Sequence, residues 1–191
     1  MDLGGLGDPP SVESYPNHRP AAVLVPLIET DDSLELVFTK RAEGLSEHPG
    51  EMSFPGGGCE PSDPNRRWTA LREADEEIGL SPDEVELVGR TTEVCTSSRY
   101  VISPFVGLIP DRPYAAHEPE VDRIVRLPVD AFLEPGSFRR QYERLESGTK
   151  RLEPSFEVDG AYIWGATGRV VVSLLEATTD WRADQVASTV E

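Results

Sequence analysis

Phe54-Pro55-Gly56-Gly57-Gly58, followed by Leu71-Arg72-Glu73-Ala74-Asp75-Glu76-Glu77-Ile78-Gly79-Leu80, decides how this chain is read. At about 100° per residue, Glu73, Glu76 and Glu77 fall within a helical arc of roughly 100°. Trp68, Leu71, Ala74 and Ile78 fall on the other side, so one face is expected to pack while its opposite holds three carboxylates in mutual reach. Asp75 lies between Trp68 and Leu71 and does not fit that division. Like charges at these spacings destabilise an isolated helix by about 0.2–0.5 kcal/mol per pair, and become favourable around a hard divalent cation. A Glu-rich helix face by itself is ordinarily a solvated one. The loop before it changes the reading, because a glycine run lets backbone approach a ligand or metal closely. That run lacks the Gly-Lys-Ser/Thr of a P-loop.

Outward from this segment, Asn65 to Ile78 reads as a helix stopped by Gly79 at its C-cap. Residues Ala21–Glu29 and Leu34–Lys40 read as a hairpin around Thr30-Asp31-Asp32-Ser33. The stretch Arg41–Pro64 reads as loop. Glu84–Thr92, Tyr100–Ile109 and Arg123–Leu127 are expected strands, and Val129–Leu133 one helical turn. Phe138–Leu145 and Arg151–Val158 form an expected pair turning at Ser147-Gly148, before a helix over Gly165–Leu175. No repeat or linker divides the chain. The expected layout is a lead-in at 1–19, one α/β (α+β) domain at 20–177 and a frayed tail at 178–191.

The whole chain of 191 residues is 38% apolar with a formal net charge of −17. Its longest apolar run, Ala21 to Ile28, contains Pro26 and is far shorter than the ~20 residues that span a bilayer. No basic-plus-apolar leader opens it, and Cys59 and Cys95 are too few for a disulfide framework, so a cytoplasmic protein is expected, with no membrane partner. Only Lys40 and Lys150 are lysine; the other cations are arginine. Abundant acids with almost no lysine suit a surface hydrated in strong salt, as in a halophilic archaeon; a merely acidic domain with biased codons is the alternative. Either way, the charge repels phosphate backbones and argues against nucleic-acid binding. His18, His48 and His117 lack partners at zinc-ligand spacing, and no Gly-x-Ser-x-Gly elbow is present. Cys59 reads as a small buried residue.

The loop and helix together resemble the Nudix hydrolases, whose box reads G-x5-E-x7-R-E-U-x-E-E-x-G-U, with U a bulky aliphatic residue. Gly58, Arg72, Glu73, Glu76, Glu77, Gly79 and Leu80 match it. Ala74 is small for its slot, and the isolated glutamate slot holds Pro64, with Asp63 adjacent and Glu60 nearby. The resemblance implies an α/β/α sandwich with a mixed β-sheet. It also implies that Glu73, Glu76 and Glu77 hold Mg²⁺ or Mn²⁺ for hydrolysis of a nucleoside diphosphate derivative, with Glu76, Glu77, Arg72 and Glu120 as the catalytic set. The general base is a box glutamate or an acid of the later loop, Glu118 or Glu120.

Thr39-Lys40-Arg41-Ala42, Gly50 and Phe54-Pro55-Gly56-Gly57 further resemble the extra motif of the coenzyme A pyrophosphatase subgroup, roughly T-x-R-[S/A]-x3-R-x3-G-x3-F-P-G-G. Ser46 stands in place of its second arginine. This implies coenzyme A or acyl-CoA as substrate, with Arg41, Gly57 and Gly58 as binding residues; for Arg41 a strand-end surface charge is the alternative. Tyr162-Ile163-Trp164-Gly165-Ala166-Thr167 resembles the start of the subgroup's last helix, with Trp164 read as core ahead of adenine stacking. The alternatives are a Nudix hydrolase of NADH, ADP-ribose or another nucleotide, and a non-catalytic nucleotide-sensing module. The expected partner is a small nucleotide, and the expected assembly a monomer or homodimer.

Overall fold

The computed structural model describes residues 1–7, 17–45, 48–117, 119–144, 150–186 and 189–190. Strands β1 (Arg19–Glu29) and β2 (Leu34–Arg41) form the expected antiparallel hairpin, with Leu27 opposite Leu36. Thr30 closes the turn, donating its N–H to the Ser33 carbonyl at 2.9 Å and accepting the Ser33 N–H on Oγ1 at 3.0 Å. Ala21, Ala22, Leu24, Val25, Leu27 and Ile28 of β1 are all buried, so this strand is covered on both faces. Its second neighbour is β7 (Tyr100–Ile109), parallel from Arg19 opposite Tyr100 to Ile28 opposite Ile109. With β3 (Met52–Ser53) and β5 (Glu86–Arg90), the strand order is β3-β2-β1-β7-β5. Three strands attach beside that path: β4 (Gly56–Gly58) to β1, β6 (Val94–Cys95) to β7, and β8 (Val121–Pro128) to β2. The sheet is mixed, as expected.

Helix α1 (Arg66–Ile78) covers one face through Ala70, Leu71, Ala74 and Ile78, packed with Ala22, Leu24 and Val37. Ala74 is fully buried, and its small side chain lets the helix sit close on β1. Asn65 caps the start by accepting the Trp68 N–H at 2.9 Å. Gly79 ends the helix in the left-handed conformation at φ 64°, which a side chain would strain. Trp68 is 46% exposed, which corrects its expected place in the packing face. The buried stripe is centred on Ala74, and Trp68 shares the solvent face with the exposed Asp75. That rotation accounts for Asp75 and carries Glu77 inward.

The other face meets α2 (Val129–Leu133), α3 (Gly165–Thr178) and a second sheet. This sheet comprises β9 (Phe138–Arg144), β10 (Lys150–Val158), β11 (Ala161–Trp164) and β12 (Thr189–Val190), in the order β11-β10-β9-β12. A file of rings fills the interface: Phe38 stacks on Phe54 at 4.5 Å, Phe132 meets Phe156 edge-on at 5.4 Å, and Phe138 meets Trp181 at 5.0 Å. The architecture is an α/β sandwich whose layer opposite α1 mixes helices with a small sheet.

Several local expectations change. The Arg41–Pro64 loop contains two short strands, because Gly56–Gly58 aligns with Ala21–Val23 and Met52–Ser53 with Thr39–Lys40. Residues expected in the lead-in and tail also pack: Leu6, Trp181 and Ala183 join the core cluster, and the Asp2 N–H reaches the Thr178 carbonyl at 2.7 Å. Ser46, Glu118 and the Ser147-Gly148 turn lie outside the described residues. Among the described residues no helix is long and apolar enough to cross a membrane.

Candidate active site

Pairing of β4 with β1 lays the glycines beside the carboxylate face of α1, and the Cys59–Asn65 loop then turns into that helix. The turn is closed by Asp63, whose N–H reaches the Glu60 carbonyl at 3.0 Å while its Oδ2 accepts the Glu60 N–H at 2.9 Å. Asp63 Oδ2 also accepts the Thr69 hydroxyl at 2.8 Å. Arg72 grips the same carboxylate twice, Nε to Oδ1 at 3.1 Å and Nη2 to Oδ2 at 3.2 Å. This contact holds the Asp63 carboxyl down at about 2. Asp63, one position before the box slot that Pro64 fills, thus fastens this loop to α1. The signal was an acid next to the empty slot.

Arg72 also donates to Glu73 at 3.0 Å and to Glu76 at 2.9 Å. Expected among the catalytic groups, it is hydrogen-bonded to three carboxylates, Asp63, Glu73 and Glu76. Glu73 is half-buried, and its carboxyl is pushed up chiefly by burial. Its carboxylate lies so close over Gly57 that a Cβ there would collide with it. Glu77 is 6% exposed; burial, then the neighbouring charge of Glu73, pushes its carboxyl up to about 8, against a hydrogen bond from the Gly56 N–H and the charge of Arg41.

Glu73, Glu76, Glu77, His117 and Glu120 line one cavity of about 190 Å³. The loop carrying Glu120 is docked there from both ends: the His117 N–H donates to the Glu77 carbonyl, and the Ala42 N–H to the Glu120 carbonyl, each at 2.9 Å. Sequence reasoning named all four acids. The donor set is rich in carboxylate oxygen, the chemistry that suits Mg²⁺ or Mn²⁺. Among the described residues no three such groups already stand gathered for an ion. Arg72 pairs with both Glu73 and Glu76, and Glu76 is the exposed one of the three box carboxylates. The carboxylate chemistry of this donor set fits the ion.

A second cavity of about 400 Å³ adjoins the glycine strand and is lined by Arg41, Gly57, Gly58, Tyr100, Trp164 and Arg169, with loop residues on either side. The Arg41 Nε is buried and has no hydrogen-bond partner among the described residues. Trp164 is half-buried on the cavity wall rather than in the core, so the expected core placement is corrected. Arg169 escaped the sequence reading. It follows Trp164 by little more than one helical turn, and its Nη1 is fixed by the Cys95 carbonyl at 2.9 Å. Cys59 is only half-buried, beside the Thr69 hydroxyl at 3.4 Å.

The NUDIX domain model matches residues 17–146. The uncharacterized Nudix hydrolase NudL of Escherichia coli K12 is 33% identical over 159 residues, covering 83% of this chain and 82% of that protein. Its namesake from Shigella flexneri is 33% identical over 167 residues, covering 86% of each. Among solved structures, a MutT/nudix family protein from Enterococcus faecalis superposes with a TM-score of 0.52 at 15% identity, covering 81% of this chain and 54% of that one. The NUDIX domain of Shewanella oneidensis NrtR complexed with ADP ribose superposes at 0.50 with 18% identity, over 62% of this chain and 78% of that one. These two likenesses concern the fold. Family model and relatives agree over most of the sequence, and this chain belongs to the Nudix hydrolases.

Proposed function

We propose that this hydrolase adds water across the pyrophosphate of coenzyme A or acyl-CoA, releasing adenosine 3′,5′-bisphosphate and (acyl-)phosphopantetheine. One observation carries the reading: Arg41 lines the large cavity with a buried, unpartnered Nε while its charge also reaches Glu77 of the carboxylate cavity. A cation at that junction suits a substrate that lies across both cavities. Glu73, Glu76 and Glu77 would hold Mg²⁺ or Mn²⁺, which neutralises the pyrophosphate and makes water a better nucleophile. Glu120, exposed on the wall of the same cavity, would take the proton of the attacking water.

The test is a substrate panel with each metal, products resolved by mass, on wild type and Arg41→Ala. A charge-assisted contact is worth roughly 1.5–3 kcal/mol, or about 10- to 150-fold in kcat/KM. Coenzyme A is therefore expected to exceed dephospho-coenzyme A by that order, with the gap narrowed in the variant. Equal kcat/KM for coenzyme A, dephospho-coenzyme A and NADH overturns the coenzyme A reading and favours a broader dinucleotide hydrolase. Binding without turnover of any nucleotide favours a sensing module.

A further inference from the structure

The connection from β7 to β8 carries Glu120, and two of its contacts fall on the C-terminal end of α1. The last carbonyls of a helix have no partner within it. Here the Glu77 carbonyl takes the His117 N–H at 2.9 Å, and the Gly79 carbonyl takes Arg112 Nη2 at 3.0 Å. A cation at this end also complements the helix dipole. The helix that carries the box carboxylates is therefore the dock for the segment that carries Glu120.

Arg112 is the junction of that dock. Its Nε and Nη2 meet the two carboxylate oxygens of Glu84 at 2.8 and 2.6 Å, a parallel geometry that fixes the guanidinium in orientation as well as place. Glu84 is itself anchored, accepting the Ser81 N–H at 3.1 Å. Arg112 Nη1 turns back to the Pro113 carbonyl at 3.0 Å, and the guanidinium lies over the Tyr114 ring at 4.3 Å. The Tyr114 hydroxyl in turn donates to the Pro110 carbonyl at 2.6 Å, which folds the segment into a hook. Further on, the His117 carbonyl accepts the Glu120 N–H at 3.3 Å and the Val121 N–H at 3.2 Å. Any shift of His117 is thus passed to Glu120 within one turn.

We propose that Arg112 is a positioning residue of this hydrolase: by gripping Glu84 and the Gly79 carbonyl together, it holds the His117–Glu120 turn on the end of α1 and so sets the place of Glu120 in the carboxylate cavity. Arg112 touches no reacting group and acts through Glu120. The inference rests on the reading of Glu120 as the group that takes the proton of the attacking water, and is independent of which pyrophosphate is cut.

The experiment is a double-mutant cycle on the full chain, using whichever pyrophosphate of the panel wild type cuts fastest. Glu120→Gln is expected to lower kcat by about 10². Arg112→Ala is expected to lower it about ten-fold with KM held within about two-fold, and Arg112→Lys to fall between. In the Glu120→Gln background Arg112→Ala is expected to add less than about two-fold, because the group it positions is already gone. Hydrogen exchange on the metal-free chain gives a second readout: in Arg112→Ala the His117 and Ala42 amides, which bond to Glu77 and Glu120, are expected to exchange about ten-fold faster while those of β1 are unchanged. Should Arg112→Ala fail to fold, Arg112→Lys and Glu84→Gln carry the same comparison. An equal loss of kcat in both backgrounds, or unchanged exchange at His117, overturns the positioning role. Unchanged kcat in Glu120→Gln overturns the proton-acceptor reading and this inference with it, while the coenzyme A reading, judged by substrate preference, stands.

Discussion

Arg72 and Asp63 face each other through two parallel hydrogen bonds of 3.1 and 3.2 Å, and the aspartate side chain is 2% exposed. Through this pair the loop before α1 is fastened to the helix that carries the carboxylates. Asp63→Asn keeps the shape and removes the charge; it is expected to cost about 1–2 kcal/mol, read as a lower denaturant midpoint. The Asp63 carboxyl drops from 3.8 unfolded to about 2 folded, so its contribution is present above pH 4 and fades as pH falls toward 2. In Asp63→Asn that part of the acid-side slope is expected to vanish.

Glu77 has the opposite sign. Its carboxyl rises from 4.5 to about 8 on folding, so the metal-free protein is expected to lose stability as pH climbs through that interval. Glu77→Gln is expected to flatten the loss in a pH series of thermal melts. At pH 7 the folded Glu77 is mostly protonated, so binding of Mg²⁺ is expected to release close to one proton. Calorimetry in buffers of different ionisation enthalpy reads that number, and a value near zero contradicts a protonated Glu77 that gives up its proton to the metal.

Turnover supplies a separate check on the carboxylates. Glu76→Gln and Glu77→Gln each remove one negative charge with little change of shape, and kcat is expected to fall by about 10² or more while circular dichroism stays native. Full turnover in both variants removes these residues from the mechanism.

Gly57→Ala tests the glycine strand itself. The added methyl collides with the Glu73 carboxylate and must push it off its place. Weaker Mg²⁺ binding and at least ten-fold lower turnover are expected, with a melting temperature within a few degrees of wild type. Unchanged Mg²⁺ affinity excludes the contact as a determinant of the site.

Salt tests the surface. At about 1 M salt the Debye length is ~3 Å, which screens the self-repulsion of a chain with net charge −17 and two lysines. The melting temperature is expected to rise from dilute buffer to molar KCl. A flat or falling trend contradicts adaptation to strong salt.

The readable parts of this chain were those set by near neighbours. The hairpin follows from two apolar runs flanking the Thr30–Ser33 turn, and α1 from Asn65 and Gly79 at its ends. The three box carboxylates were visible as helical spacing and Glu120 only through the family resemblance, and the four share one cavity. What escaped depends on partners distant in sequence. Gly56–Gly58 is a strand only because β1 offers an edge, Trp68 faces water because Ala70 and Ala74 set the rotation of α1, and Trp164 and Arg169 become a cavity wall only when α3 docks. Asp63 fastens the loop to α1 from the position next to the one the pattern names.

The parallel ladder of β1 with β7 joins strands from opposite halves of the sequence, Arg19 beside Tyr100 and Ile28 beside Ile109. A ribosome that has reached Leu80 has therefore made every box residue, yet β1 still lacks the partner that covers its second edge. Closing so long a loop comes before any pairing can reward it, which slows folding. The glycine strand leans on β1, so the enzyme's centre takes shape only after Ile109 has emerged. A fragment ending at Leu80 holds the whole signature and none of the site.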